Sequence, residues 1–415
     1  MRAALEKAVA SSNGAATDTK VFADLAPTVE RLRTAVRTIV SARGRAASGA
    51  RACAREFGFD KSIGWKIYQI GFAEDFVTAL SAVPGTRGWE IVLAKFTAAR
   101  VPDAQVAEVK HALDAFEKQL ADRHIDRKML SGMAAAVVDT DESRRQMLRL
   151  RKQASDAMAV ILGVHANSRL GAYLVVPSKT QGMVDLAAVT MLDGLERRRS
   201  GPPFEMYFPI RTYDADAKWI DASGGPLVDS PRAPLVAELS SMGISEQEVG
   251  LHPTIRGAHE FVGRSPSRQE PLYVSFGEYA LAVGPECQRG PEKTAELAMP
   301  VLVPTTVAVL DVLIHRDIRK GSELRAELYS AGATRVTGAV RERRRLALES
   351  RVLNSATLHF ADISTNSNTT YAELCKRAAV KLGYALTDFE IHRVVVPHPP
   401  VPCSVIMTWQ LAESL

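Results

Sequence analysis

Histidine and acidic side chains that could bind a metal ion occur at two places in the second half of the sequence. His252 and His259, with Glu260, offer imidazole and carboxylate ligands, but the spacing of the two histidines fits no common zinc site. A second group looks like the start of a calcium loop and consists of Asp214, Asp216 and Asp221. The sixth position of such a loop requires glycine, and Trp219 stands there. We therefore expect no metal site.

The catalytic motifs are also incomplete. His315-Arg316-Asp317 matches the start of a protein-kinase catalytic loop, but that loop needs an asparagine five residues after the aspartate, where Ser322 stands. The sequence contains no GxSxG, no P-loop and no GxGxxG motif. We therefore predict no catalytic residue and no cofactor. An enzyme with a site assembled from scattered residues of the C-terminal part stays open as an alternative.

The segment from Arg51 to Ile67 has the spacing of two short helices joined by a tight turn. Ala54 is small enough to let a second helix approach the first, and Gly58 can adopt the left-handed conformation that a Cβ opposes. Apolar residues stand where the two helices would pack together, at Cys53, Phe57, Phe59 and Ile67. The second helix is predicted to begin at Asp60 or Lys61.

This pattern, over about residues 51–70, resembles the helix-turn-helix of bacterial DNA-binding proteins. The resemblance implies that the outer side of the second helix enters the major groove, while the first helix lies near the DNA backbone. The second-helix residues so implied are Lys61, Ser62, Trp65 and Lys66, and the first-helix residues are Arg51 and Arg55.

The segment departs from the motif at one position. Gly64 stands where Val or Ile is usual, so either close packing compensates for the glycine or the helix register differs from the one assigned. Two structural alternatives also stay open. The helix pair could serve only as scaffold, and Trp65 could belong to a core.

Positive charge is concentrated around this segment. The chain has a net charge of +5, and residues 31–66 contain nine Lys or Arg residues against only Glu56 and Asp60. A local excess of this sign attracts polyanions, nucleic acid foremost. A solvated helical face is the other interpretation.

Three amphipathic stripes predict helices in the first part of the chain. Each places apolar residues at alternating spacings of three and four, and together they cover residues 25–40, 106–120 and 142–162. The third stripe includes Ala154 and Ile161. Each stripe is shorter than a coiled-coil seam requires, so we expect packing within the chain.

From Gly163 onward, short β-rich runs replace the helical pattern, with proline and glycine between them. We therefore predict an α+β protein. An all-α, basic N-terminal domain with the helix-turn-helix-like segment covers residues 1–163, and a mixed α/β domain covers 164–415, with a sub-boundary near 335.

The end of the chain predicts strand, helix, strand, strand. These elements are Val352–Phe360, Tyr371–Leu382, Phe389–Val396 and Ser404–Leu411. The last two alternate in hydrophobicity, so we expect them to pair with each other through the proline-rich connector and to complete a sheet.

Composition points to a cytoplasmic protein. The four cysteines form no CxxC pair, which argues against a zinc ribbon and a disulfide scaffold. The sequence has no apolar run of about 18 residues and no N-terminal signal pattern, so we expect no membrane association.

These observations favour a DNA-binding protein, a bacterial transcriptional regulator whose C-terminal domain senses a ligand or assembles subunits. The ligand is not identified, and homo-oligomerisation stays open. The first alternative is a non-catalytic assembly protein, which should bury Trp65 and neutralise the basic face. The second is an enzyme, which should have a deep pocket with convergent polar groups in its C-terminal domain.

Overall fold

The computed structural model describes residues 15–74, 76–127, 129–130, 141–213, 219–221, 223–229, 234–241, 244, 249–251, 258–262, 270–289, 293–330, 344–346, 348, 352–353 and 369–413. The chain divides into two units, Met1–Met147 and Leu148–Leu415. The N-terminal unit is helical and the C-terminal unit is built on mixed sheets, so the predicted α+β class is confirmed.

The described part of the N-terminal unit is made of helices. They are α1 (Ala15–Ala42), α2 (Ala50–Phe57), α3 (Lys61–Phe72), α4 (Phe76–Ser81), α5 (Thr86–Ala98) and α6 (Asp103–Asp122), with a 3-10 helix at Gly44–Ser48. A further helix, α7 (Asp141–Leu162), contains the division between the two units, whereas the sequence placed the boundary just after this helix.

Helix α1 is the centre of the N-terminal unit and packs on α3 and α6. Its apolar stripe is almost completely removed from solvent, at Leu25, Val29, Leu32, Val36 and Ile39. The stripe on α6 is buried at Val109, Leu113, Phe116 and Leu120. Burying each large apolar side chain contributes roughly 1.5–3 kcal/mol, so these two stripes supply much of the core.

The stripe predicted for α7 is wrong. Ala154 is exposed and Ile161 is 59% exposed, whereas Ser155 and Ala159 are buried. The Ser155 hydroxyl donates a hydrogen bond to the carbonyl of Thr305 at 3.3 Å. The small residues at a spacing of four set the buried face, because they let the helix approach a neighbouring strand closely.

The described C-terminal unit contains most of α7, one further α-helix, α8 (Thr369–Leu382), and a set of strands. Short 3-10 helices lie at Ala237–Leu239 and Leu386–Asp388. The strands are β1 (Val164–Pro177), β2 (Met183–Arg197), β3 (Phe204–Tyr207), β4 (Arg211–Tyr213), β5 (Trp219–Asp221), β6 (Ser223–Pro226), β7 (Val249–Leu251), β8 (His259–Phe261), β9 (Leu272–Pro285), β10 (Thr294–Val301), β11 (Thr305–His315), β12 (Arg325–Ser330), β13 (Val352–Leu353), β14 (Phe389–Pro397) and β15 (Cys403–Gln410).

The main sheet has the strand order β13-β14-β11-β1-β2-β9-β6. Strands β1 and β11 are parallel, and the other neighbours are antiparallel. A second sheet has the order β10-β15-β12, and smaller sheets are formed by β3-β8-β7 and β4-β5.

Both faces of the main sheet are covered. Leu170, Ala172 and Leu174 of β1 belong to a core that includes the inner face of α8. Val175 of the same strand belongs to a second core, shared with β10 and β15. The alternation along β1 thus places the helix on one side of the main sheet and the second sheet on the other.

The expected pairing of the last two strands is wrong. Strand β14 pairs with β11 and β13, whereas β15 pairs with β10 and β12. Val394 of β14 and Val405 of β15 face the same core from opposite sheets. The proline-rich connector therefore crosses from one sheet to the other, and both strands bury apolar residues between the sheets.

The predicted strand Val352–Phe360 lies partly outside the described residues, and the predicted sub-boundary lies wholly outside them. The predicted strand Val352–Phe360 is seen only as Val352–Leu353, since its remainder is not described. The sub-boundary near residue 335 also lies outside the described part of the chain. The helix predicted at Tyr371–Leu382 is confirmed as α8.

Candidate functional site

Helices α2 and α3 are joined by a short turn whose backbone is set by Gly58 and Asp60. Gly58 has φ +64° and ψ +33°, the left-handed conformation expected for this position. The Asp60 carboxylate accepts hydrogen bonds from the N–H groups of Ser62 at 2.7 Å and Ile63 at 2.9 Å. This cap satisfies free donors at the start of α3 and places its first residue at Lys61.

Close packing accounts for the unusual Gly64. A Cβ at this position would lie 2.8 Å from Cα of Ala54 and closer still to its Cβ. Two small residues therefore bring the backbones of α2 and α3 into contact. The apolar positions expected between the helices are all buried, at Cys53, Phe57, Phe59 and Ile67.

We expect Gly64→Ala to lower the free energy of unfolding by about 1–3 kcal/mol, because the added methyl group overpacks the helix crossing. Helix propensity alone predicts the opposite sign, a gain of about 0.5–1 kcal/mol. Urea unfolding of the full chain measures the difference.

Gly71, near the end of the same helix, provides the matched control. A Cβ there would lie 3.5 Å from Cα of Arg37, an ordinary van der Waals distance. Gly71→Ala should therefore leave stability unchanged or raise it slightly. Equal stability of the Gly64→Ala and Gly71→Ala variants would refute the close-packing explanation.

The predicted contact residues lie on the outer side of this helix pair. Lys61, Ser62 and Trp65 of α3 are exposed and Lys66 is half-buried. Trp65 is 46% exposed, so it is not the core residue of the alternative interpretation.

The two predicted α2 residues, Arg51 and Arg55, are also exposed. In the part of the chain that the structure describes, no hydrogen bond or ion pair is made by the side chains of these two arginines or of Lys61 and Lys66. We call these four side chains the α2–α3 cations. Glu56 is the exposed acid nearest to them in sequence, apart from the capping Asp60.

Several arginines of the basic region, residues 31–66, make hydrogen bonds or ion pairs within the N-terminal unit. Arg33 is buried and donates to the carbonyls of Ile70 and Ala73, and Arg37 donates to the Gly71 carbonyl at 2.7 Å. Both thus satisfy carbonyl groups at the end of α3.

Two more arginines also have partners within the N-terminal unit. Arg43 donates to the Ala99 carbonyl at the end of α5, and Arg31 forms an ion pair with Glu108 at 2.7 Å. The freely exposed charge is therefore smaller than the sequence indicated, and it is concentrated on α2 and α3.

Two exposed cations close to this helix pair were not among the predicted site residues. The Lys95 ammonium lies 3.6 Å from the position that a Cβ of Gly58 would occupy. Arg45 lies on the 3-10 helix that packs against α2. No local motif indicates Lys95, since it comes from α5 and reaches the turn only in the folded unit.

Two of the histidines considered for metal binding or catalysis are buried against aromatic rings. His315 is buried, its ring packs 4.5 Å from that of Tyr384, and its Nδ1 accepts a hydrogen bond from the Asp317 N–H. His259 is buried against the ring of Phe276.

His252, Asp214 and Asp216 lie outside the described residues. Among the residues that are described, no three His, Cys, Asp or Glu side chains come together as metal ligands would.

Comparison with known proteins does not assign this chain to a family. No family model matches it, and no curated protein matches its sequence at a significant level. In the described ranges, no helix is both long enough and apolar enough to cross a bilayer.

Proposed function

We propose that this protein binds double-stranded DNA and that the first turns of α3 enter the major groove. The observation that carries the proposal is the set of α2–α3 cations, which are solvent-accessible and have no acidic partner in the described structure. Phosphate groups are the partners that such a concentration of free cations attracts.

The outer side of α3 has a geometry that suits this groove. Lys61 and Trp65, and likewise Ser62 and Lys66, are four residues apart and therefore neighbours on the helix surface. The two lysines would neutralise phosphates or donate to guanine, Ser62 would donate to a phosphate or base, and Trp65 would contact a base or sugar edge.

Helix α2 would lie across the sugar–phosphate backbone. Arg51 and Arg55 are also four residues apart on one helix, and their guanidinium groups suit two-point contacts with phosphate. Lys95 adds positive charge next to the turn, and Arg45 adds it on the 3-10 helix that packs against α2.

We further propose a bacterial, cytoplasmic transcriptional regulator, in which the C-terminal unit senses a ligand or assembles subunits. Regulators with this kind of helix pair commonly bind as dimers to two half-sites about one DNA turn apart. The support for this role is the separate, extensive core of the C-terminal unit, which is distinct from the unit carrying the α2–α3 cations.

We expect the full-length protein to bind mixed genomic DNA fragments with an affinity that falls steeply with salt. Each neutralised phosphate contributes about −0.9 to the slope of log K against log salt, so four contacts predict a slope near −3.6. Fluorescence anisotropy across a sodium gluconate series at fixed chloride measures this slope.

Absence of binding at low salt would contradict the proposal, as would binding that salt does not weaken. Self-association without DNA binding, with Trp65 shielded from a soluble quencher in the oligomer, would instead support the assembly alternative.

A further inference from the structure

The C-terminal unit contains a buried arginine that lacks a counter-charge among the described residues. Arg169 lies on β1, the central strand of the main sheet, and is 6% exposed. Its Nη1 atom has no hydrogen-bond partner in the described structure. A buried charge of this kind is strongly destabilising unless another group compensates for it.

The ionisable groups that act on this guanidinium are neutral phenols. They belong to Tyr173, Tyr207 and Tyr371. Burial raises the pKa of Tyr173 to about 12 and the pKa values of Tyr207 and Tyr371 well above the usual value. These phenols therefore carry no charge at physiological pH.

Arg169 itself stays charged in these surroundings. Burial lowers its pKa to about 10, which is still far above physiological pH. The side chain thus presents a permanent positive charge inside the unit, with hydrogen-bond donors to spare.

A small cavity adjoins this side chain. It has a volume of about 10 Å³, close to the space of one water-sized particle. Its wall has polar as well as apolar surface, and its apolar lining residues are Leu192, Met206, Phe208, Pro300, Leu302 and Val303. The Glu205 side chain also lines it, but Glu205 has another interaction and is not among the groups acting on Arg169.

We propose that Arg169 and this cavity form a binding site for a monatomic anion, which in the cell is chloride. A chloride ion would accept a hydrogen bond from Nη1 and compensate the guanidinium charge. The cavity is too small for phosphate or for the carboxylate of an organic ligand. Water alone would satisfy the hydrogen bond but would add no counter-charge to a guanidinium that has none among the described residues.

Chloride should therefore stabilise the full-length protein against thermal unfolding. We compare the unfolding midpoint in sodium chloride with that in sodium gluconate at equal ionic strength, since gluconate is too large for the cavity. At chloride concentrations about tenfold above Kd, we expect a midpoint at least about 3 °C higher, with a hyperbolic dependence on chloride. Bromide should replace chloride.

Arg169→Met should abolish this difference between the two salts. In gluconate the variant should be no less stable than the unmodified protein, because it replaces an uncompensated buried charge by an apolar side chain of similar length. Arg319→Met, at an exposed position of the same unit, is the matched control and should keep the full chloride response.

Equal midpoints in the two salts would overturn the proposal and indicate that the cavity holds only water. A chloride response retained by Arg169→Met would overturn it as well, since the anion would then act elsewhere. Loss of the response in both variants would show that it does not depend on Arg169 specifically and would equally contradict the site.

Discussion

Replacing Asp311 by alanine is expected to lower the free energy of unfolding of the C-terminal unit by about 3–5 kcal/mol. Asp311 of β11 is fully buried, and Arg393, opposite it on β14, donates to both of its carboxylate oxygens, at 2.7 and 2.8 Å. The hydroxyl of Tyr371 on α8 donates a third hydrogen bond at 3.0 Å. Alanine would leave the buried guanidinium without this carboxylate.

The control and a second variant separate this effect from a general loss of charge. Asp317, whose side chain is 79% exposed, should tolerate alanine within about 0.5 kcal/mol. Adding Arg393→Met to Asp311→Ala should recover at least about 1 kcal/mol, because the buried guanidinium that has lost this carboxylate is then removed. Urea unfolding tests both variants, and an Asp311→Ala protein within 1 kcal/mol of the unmodified one would contradict this prediction.

This ion pair connects parts of the unit that are distant in sequence. Asp311 and Arg393 join two neighbouring strands of the main sheet, and Tyr371 ties α8 to the same point. Burial and the nearby Asp311 raise the pKa of Tyr371 well above its usual value, so the phenol remains a proton donor to the carboxylate throughout the physiological range.

Sequence periodicity predicted the elements whose stability depends on local pattern. The stripe of α1 follows from apolar spacing, because one face of the helix packs against a core. Helix α8 was indicated by the capping-box spacing of Thr370 and Glu373. The turn between α2 and α3 could be predicted from Gly58, since the left-handed conformation there disfavours other residues.

Partners distant in sequence could not be predicted in this way. Alternation identified β14 and β15 as strands, but it does not specify which strand each pairs with. The same limit applies to Asp311 and Arg169. At Asp311 a single charge within an apolar run indicates a buried ion, yet the compensating group comes from another strand. Arg169 follows Asn167 and Ser168, so no such pattern indicates its burial.

The count of basic residues in the sequence also overestimated the positive charge that is free to bind DNA. Arg33, Arg37 and Arg43 contribute to the local excess in sequence, but their guanidinium groups bind the carbonyl ends of helices. Which cations remain free depends on how the helices pack. For the same reason the sequence did not indicate Lys95, which lies beside the turn only in the folded unit. The exposure of Lys61 and Trp65 was predictable, because both follow from the register of α3.

The Lys61→Ala, Lys66→Ala double variant tests the proposed DNA contact most directly. We expect DNA affinity at low salt to fall about 100-fold, because each charged hydrogen bond contributes about 1.5 kcal/mol or more. We also expect the salt slope to become shallower by about two units, since two fewer counterions are released. Lys61 is exposed, and the half-buried Lys66 side chain makes no hydrogen bond or ion pair with the described residues, so the unfolding midpoint should change little.

The matched control is Lys110→Ala, Lys118→Ala, which removes the same charge from exposed positions of α6. Anisotropy titrations of full-length proteins with mixed genomic fragments, over the same salt series, compare the three. We expect only the Lys61 and Lys66 variant to lose DNA affinity and to show a shallower salt slope. Equal affinity and slope in that variant and the unmodified protein, or equal losses in both double variants, would contradict the placement of α3 in the major groove.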